Sequence, residues 1–447
     1  MTPRVIVIGL DCLSPDLVFE RYAGDLPTFR SLMEAGCWGK LRSVDPPVTI
    51  PAWSCMLSGC TPSELGLYGF RHRKLGSYTE HYLADSRHVR RPRVWDYLVE
   101  RGFSVGLVGV PQTWPVPSLR GFVVGDAPDA TQGLTFPPGL ADEIRRVVGE
   151  YRPDVTGFRS ADPSDVLADI EAVTAQKFAL FQHLLTSRGG DFLMMVDMGP
   201  DRIHHRFFRY CDPSHRLHGQ VAGLADPVRR YYQRLDAHLA RTLALVPPEA
   251  HLLVVSDHGA RSLQGGFCVN DWLISQGLLT LKNPARAPRP FDESLVDWER
   301  TRAWAWGGYH GRIFVNLQGR EPQGQVPASE LGTFLERLSS DLSSIAGPDG
   351  TPMGNRVIRL VDPKGGVLPQ GDYPDLMVYF GDLSWRALGS VGHEGWYTEG
   401  NDTGPDDANH DPMGVMIYRG PEVRSPGLSI LDVAPAILRW FGVERGA

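Results

Sequence analysis

Residues 192–208 read FLMMVDMGPDRIHHRFF, and they decide the fold. The unbroken apolar run Phe192–Val196 suits a strand covered on both faces, because a strand with one wet face alternates apolar and polar. Gly199 and Pro200 then interrupt the run, and proline is well placed in the first turn of a helix. If a helix starts here, Asp201 and His205 stand four residues apart and share one face, within reach of a single ion. His204 points about 100° away and is the weaker ligand candidate. Taken alone, a helix-start acid beside a packed histidine explains the pair better than an ion does.

Further runs of the same kind occur at Val5–Ile8, Val105–Val108, Leu252–Val255 and Leu376–Tyr379. Helical periodicity lies between them, over Val94–Glu100, Pro163–Leu185, Pro227–Leu245 and Ile430–Phe441. Strands alternating with helices predict an α/β fold: a doubly wound, mostly parallel central sheet with helices on both faces. In such sheets ligands gather beyond the carboxyl ends of the strands. Asp11, Asp201 and Asp257-His258 each follow a run, so three strands would bring acids to one rim. Residues 282–371 are rich in Pro and Gly and weakly periodic. They read as cap-like insertions over the site, within a single catalytic domain spanning residues 1–447.

Composition sets outer limits. The chain has 447 residues, 42% hydrophobic and 22% charged, with a formal charge of −7. That length allows a large buried core without covalent staples. The mild negative charge argues against a nucleic-acid or polybasic membrane surface, and no apolar run approaches the length of a membrane span. The opening MTPRVIVIGLD has too short an apolar run for a signal segment and reads as a first core strand. Six cysteines without CxxC spacing read as free thiols in a reducing cytoplasm.

Four more stretches carry chemistry. Asp257-His258-Gly259 ends a strand and offers oxygen and nitrogen ligands suited to zinc or manganese; a capped turn is the alternative. His410 stands out in NDTGPDDANHDP, where turn chemistry accounts for most of the other polar residues. His393 has no spacing partner and reads as a pocket or structural histidine. Thr49, followed by Ile50-Pro51, sits where a helix should start, and free amides at a helix N-terminus favour a phosphate there. Simple N-capping by Thr49 is the competing explanation. Trp53, Phe70, Trp396 and Tyr397 lie near these motifs and could stack on a base or aryl group, though each alone suits a core or rim position. GxGxxG spacing after VIVIGLD, a P-loop, HExxH and GxSxG are all absent. Asp11 also lacks the second acid two residues on that a haloacid-dehalogenase-type phosphatase requires.

Taken in order, Asp11, Thr49, Asp201-x-x-x-His205, Asp257-His258 and His410 resemble the alkaline phosphatase superfamily, in its type I phosphodiesterase/nucleotide pyrophosphatase branch. TIPAW, LGLYGF, DRIHH, GRIFVNLQGREPQG and GSVGH…NDTGPDDANH carry the likeness across nearly the whole chain. The resemblance implies two divalent metal ions, zinc with manganese as the alternative. Asp201, His205 and His410 would hold one ion, and Asp11, Asp257 and His258 the other. Thr49 would be the nucleophile and touch the second ion, leaving His204 as a supporting or structural group. It also implies a small-molecule phosphate ester, nucleotide-like, as substrate.

The chain departs from the pattern at one place. Relatives of the eukaryotic type carry a phosphate-binding Asn where Phe70 stands here, so Arg71 or an amide beside Thr49 would take over that contact. Trp53, Phe70, Arg71 and His393 are the expected substrate-side residues. The sulfatase signature CxPxR is missing from SCMLSG. A phosphomonoesterase using the same site, or a non-catalytic metal-binding protein on this fold, are the alternatives. The oligomeric state is not readable from the sequence.

Overall fold

A computed structural model describes residues 4–127, 133–159, 162–220, 225–360, 373–421 and 428–444. Eight strands make the central sheet: β1 Val5–Leu10, β2 Cys37–Arg42, β3 Val105–Val110, β4 Gly121–Gly125, β5 Thr135–Phe136, β6 Phe192–Asp197, β7 His251–Val255 and β8 Met413–Arg419. Their order across the sheet is β2-β8-β7-β1-β6-β3-β4-β5. The five inner strands from β7 to β4 run parallel. The pairings β2–β8, β8–β7 and β4–β5 are antiparallel. The sheet is therefore mostly parallel, as the apolar runs predict.

Strand alternation splits the core. Ile6 and Ile8 face the helices Pro163–Ser187, Gly199–Cys211 and Pro227–Leu243. Val5 and Val7 face Thr49–Ser58, Val94–Glu100 and Val433–Trp440. Both faces are covered, which is why β1 reads as a continuous apolar run with no polar side.

Leu376–Tyr379 departs from its reading as a parallel strand. It is a buried strand, but it belongs to a separate four-stranded antiparallel sheet, between Gly311–Val315 and Arg356–Arg359. Leu376 and Val378 pack into one apolar cluster, Met377 and Tyr379 into another. An antiparallel strand covered on both faces loses its alternation, so its sequence looks like that of a parallel one. This second sheet packs on the helix Leu331–Ser343 around Trp304, Phe314 and Leu335. Residues 282–360 thus hold regular elements that their weak periodicity concealed, while residues 361–371 of the expected cap lie outside the described ones.

Candidate active site

The carboxyl ends of β1, β6 and β7 deliver the first five donors. Asp11 follows β1 directly. The helix Gly199–Cys211, entered from β6, carries Asp201 and His205 one turn apart. Asp257 and His258 come two and three residues after β7. His410 arrives from a different part of the chain, on the strand Ala408–Asp411. That strand pairs antiparallel with Gly259–Ser262, which sets Ala260 opposite His410. The His410 ring consequently stacks on His258 at 3.8 Å.

All six side chains are buried, none more than 2% exposed. Their hydrogen bonds follow one rule. Asp11 Oδ2 accepts from Trp53 Nε1 at 2.7 Å, Asp201 Oδ2 from Arg202 Nη1 at 2.5 Å, and Asp257 Oδ1 from the Cys12 amide at 3.2 Å. The opposite oxygens, Asp11 Oδ1, Asp201 Oδ1 and Asp257 Oδ2, have no hydrogen-bond partner. The histidines repeat the pattern. His258 Nδ1 donates to the Gly259 carbonyl (3.1 Å), His410 Nδ1 to the Pro47 carbonyl (2.8 Å), and His205 Nδ1 to Asp406 Oδ1 (2.7 Å). A neutral ring that donates from Nδ1 carries a bare lone pair on Nε2. His258 Nε2 has no partner, while His205 Nε2 and His410 Nε2 meet each other at 3.3 Å, so three histidine nitrogens and three free carboxylate oxygens face a common interior.

These inner atoms fall into two sets. Asp201 Oδ1, His205 Nε2 and His410 Nε2 are 3.3, 3.6 and 3.3 Å from one another. His258 Nε2 is 3.3 Å from Asp257 Oδ2 and 3.7 Å from Asp11 Oδ1. Tetrahedral zinc with bonds of roughly 2.0–2.1 Å needs donors about 3.3 Å apart. Facing lone pairs at 3.3 Å repel until a proton, as between His205 Nε2 and His410 Nε2, or a cation lies between. The donor set thus fits two divalent ions, with outer atoms anchored to the protein and inner atoms turned toward one another.

Burial disfavours a charged His205, but Asp406 and Asp201 raise it well above its usual value, so it must give up a proton to bind a cation. Burial, then the charge of Asp201, raises the Asp11 carboxyl well above its usual range; burial, then Asp11, does the same to Asp257. Burial also pushes His258 down to about 4. Asp201 lies well below its usual value, because His205, Arg202 and His410 outweigh burial. Positive charge placed among these groups relieves the crowding of like charges.

Thr49 begins the helix Thr49–Ser58 and is 3% exposed. No side chain caps this helix, so the amides of its first turn are unclaimed by a cap. Both sides of Thr49 are tied to the donors: Pro47 holds His410, and Trp53, one turn on, holds Asp11. Trp53 can lie against β1 because Gly9 leaves room; a Cβ there would meet the indole at 2.6 Å. Trp53 is therefore fully buried beneath the site rather than in the cleft. Phe70, Arg71 and His393 do line the open cleft of about 820 Å³ beside the donors, together with Val48. His393 Nε2 pairs with Ser390 Oγ at 2.9 Å. His204 turns away to Tyr232 (2.9 Å), in a structural position.

Three residues with a part in the site escaped the sequence reading. Asp406 anchors His205 and is itself gripped by Arg159 and Arg386, each at 2.9 Å. Burial alone would raise its carboxyl, but His205 and the two arginines bring it down to about 2. Arg202 ties Asp201 to Asp154. Tyr309 stacks on His410 at 4.0 Å and on His205 at 5.4 Å. Asp406→Asn is expected to weaken cation binding by about 10–100-fold, as loss of a ligand's anchor does elsewhere. Titrating the ion into metal-free protein measures this, and an unchanged affinity removes Asp406 from the set.

By the family its sequence matches, the chain is a phosphoric ester hydrolase of the alkaline phosphatase superfamily. Within it, the chain belongs to the type I phosphodiesterase/nucleotide pyrophosphatase family, whose model matches residues 5–406. Its fold is similar to that of phosphonoacetate hydrolase from Sinorhizobium meliloti, solved in complex with phosphonoformate, at 17% identity and a TM-score of 0.58 over 98% of this chain and 96% of that one. It is also similar to murine ectonucleotide pyrophosphatase/phosphodiesterase 5, solved as an inactive threonine-to-alanine form in complex with AMP. There the identity is 12% and the TM-score 0.53, over 99% of this chain and 96% of that one. No curated protein sequence matches significantly. Among the described residues no helix is long and apolar enough to cross a membrane.

Proposed function

We propose that the chain is a phosphodiesterase that acts through Thr49 beside two divalent cations. Zinc is the first candidate, since imidazole nitrogens and carboxylate oxygens both suit it, and manganese is the second. Asp201, His205 and His410 would hold one ion, and Asp11, Asp257, His258 and Thr49 the other. Such ions supply Lewis acidity and neutralise charge on the phosphoryl oxygens. The observation that carries the reading is the convergence of six inner donor atoms, four of them without any hydrogen-bond partner, tied through Pro47 and Trp53 to the start of the Thr49 helix.

Thr49 Oγ1 forms the new bond to phosphorus as the bond to the leaving oxygen breaks. The hydroxyl proton is lost, and the departing alcoholate takes one up. Water then hydrolyses the phosphothreonine ester. Free amides at the head of the helix stabilise negative charge on the equatorial oxygens throughout. Trp53 and Arg202 fix the outer oxygens of Asp11 and Asp201, so neither carboxylate can turn away as charge moves. The inactive threonine-to-alanine form of the murine neighbour supports a threonine as the nucleophile here. A cleft of about 820 Å³ has room for a second organic substituent, which favours a diester over a monoester. Metal-loaded protein is expected to turn over bis(4-nitrophenyl) phosphate with a higher kcat/KM than 4-nitrophenyl phosphate. A reversed preference makes the enzyme a phosphomonoesterase.

A further inference from the structure

The wall of the cleft beside the cation donors carries charge that the described protein leaves uncompensated. Five arginines line the cleft, Arg71, Arg159, Arg289, Arg312 and Arg386, against one acid, Asp402. Arg159 and Arg386 share Asp406. Among the described residues no acid pairs with Arg71 or Arg312. Arg312 is nevertheless held in place: Nη1 donates to the Arg71 carbonyl at 2.9 Å and Nη2 to the Gly307 carbonyl at 3.3 Å, while the guanidinium lies 5.3 Å from the Trp306 ring centre. Burial, then the charge of Arg71, lowers Arg312 to about 10, so the two cations feel each other. Arg312 therefore presents a guanidinium with no acidic partner among the described residues and a second cation, Arg71, nearby, and an oxyanion matches such forked donors.

His310 adds a second, independent sign. It also lines the cleft, is 4% exposed, and neither ring nitrogen has a hydrogen-bond partner. A buried imidazole with both nitrogens unused is costly unless a ligand satisfies it. Its neighbour Tyr309 stacks on His410. The segment from Tyr309 to Arg312 therefore runs from the cation donors to the arginine pair.

We propose that Arg71, Arg312 and His310 form a subsite for a second oxyanion, carboxylate or phosphoryl, borne by the organic part of the substrate. The subsite rests on the hydrolase reading above and narrows it. The enzyme's substrates are esters with an anionic group beyond the scissile phosphoryl, spanning from the cations to the arginines. Trp306 and Phe70 flank the path with apolar surface.

The test is equilibrium binding to the metal-loaded protein, which needs no turnover. Phenylphosphonate, 4-phosphonobenzoate and 1,4-phenylenediphosphonate place no second anion, a carboxylate or a phosphonate at the same distance. At least one of the latter two is expected to bind about 10–100-fold more tightly than phenylphosphonate, the worth of one or two charge-assisted hydrogen bonds. The tighter of them identifies the group. Arg312→Gln should bring the ratio close to one, and Arg312→Lys should keep part of it, since the charge remains and the fork is lost. Being a ratio, this readout divides out any general loss of binding in the variant. Equal affinities for all three ligands on wild-type protein overturn the subsite, as does a ratio that survives Arg312→Gln. Hydrolysis of bis(4-nitrophenyl) phosphate by the same preparation reports separately on the hydrolase reading.

Discussion

Thr49→Ala is expected to cut hydrolysis of bis(4-nitrophenyl) phosphate by at least about a thousandfold, on the scale of losing a catalytic nucleophile. Cation content should stay at the wild-type level, because six other side chains supply the inner donors. The change removes one hydroxyl at the first position of a helix whose later turns pack on the core through Ala52, Cys55 and Met56. Alanine is also a strong helix former, so folding should survive. Stopped assays that separate product release from the covalent step would show no phosphothreonine in this variant. Wild-type turnover by Thr49→Ala would remove that hydroxyl from the chemistry.

Asp257→Asn should have the next largest effect, lowering metal content from two ions towards one per chain. Turnover is expected to fall by more than about a hundredfold, the upper end of what losing a mere support of a ligand costs. Asp257 uses Oδ1 to hold the Cys12 amide and leaves Oδ2 free, 3.3 Å from His258 Nε2. An amide in its place either turns an N–H toward the cation or gives up the bond to Cys12. Cys12 sits in the left-handed region, with φ 61°, at the turn that carries Asp11 out of β1. Loosening that turn disturbs the donor set twice over. Elemental analysis after dialysis is the measurement, and unchanged metal content excludes Asp257 as a ligand.

Much of the frame was legible because burial on both faces writes itself into a strand as an apolar run. That signal found β1, β3, β6 and β7, and it overreached at Leu376–Tyr379, where two apolar clusters cover an antiparallel strand. Asp201 and His205 were legible because helix geometry turns a spacing of four into proximity. Asp406 was not. It sits among Asp402, Asp407 and Asp411 in one acidic stretch, and only the fold selects which carboxylate meets His205 Nδ1. Arg202 stands next to Asp201 in the chain, yet its grip depends on Asp154, 48 residues away. Trp53 was read as a stacking surface for substrate because an aromatic near a motif looks the same whether it faces a ligand or a carboxylate. Gly9, which opens the space for that ring, acts from a distant strand. His310 and Arg312 carry no spacing signal, since what marks them is the unused ring nitrogens of one and, among the described residues, the missing acidic partner of the other.

Two cations held between the converging inner donor atoms are the premise of the proposed chemistry. An anomalous-scattering map from crystals of the metal-loaded enzyme tests this most directly. Two peaks are expected, one bounded by Asp201, His205 and His410, the other by Asp11, Asp257 and His258, with Thr49 Oγ1 beside the second. No peak at either place, or ions bound only elsewhere, would contradict it.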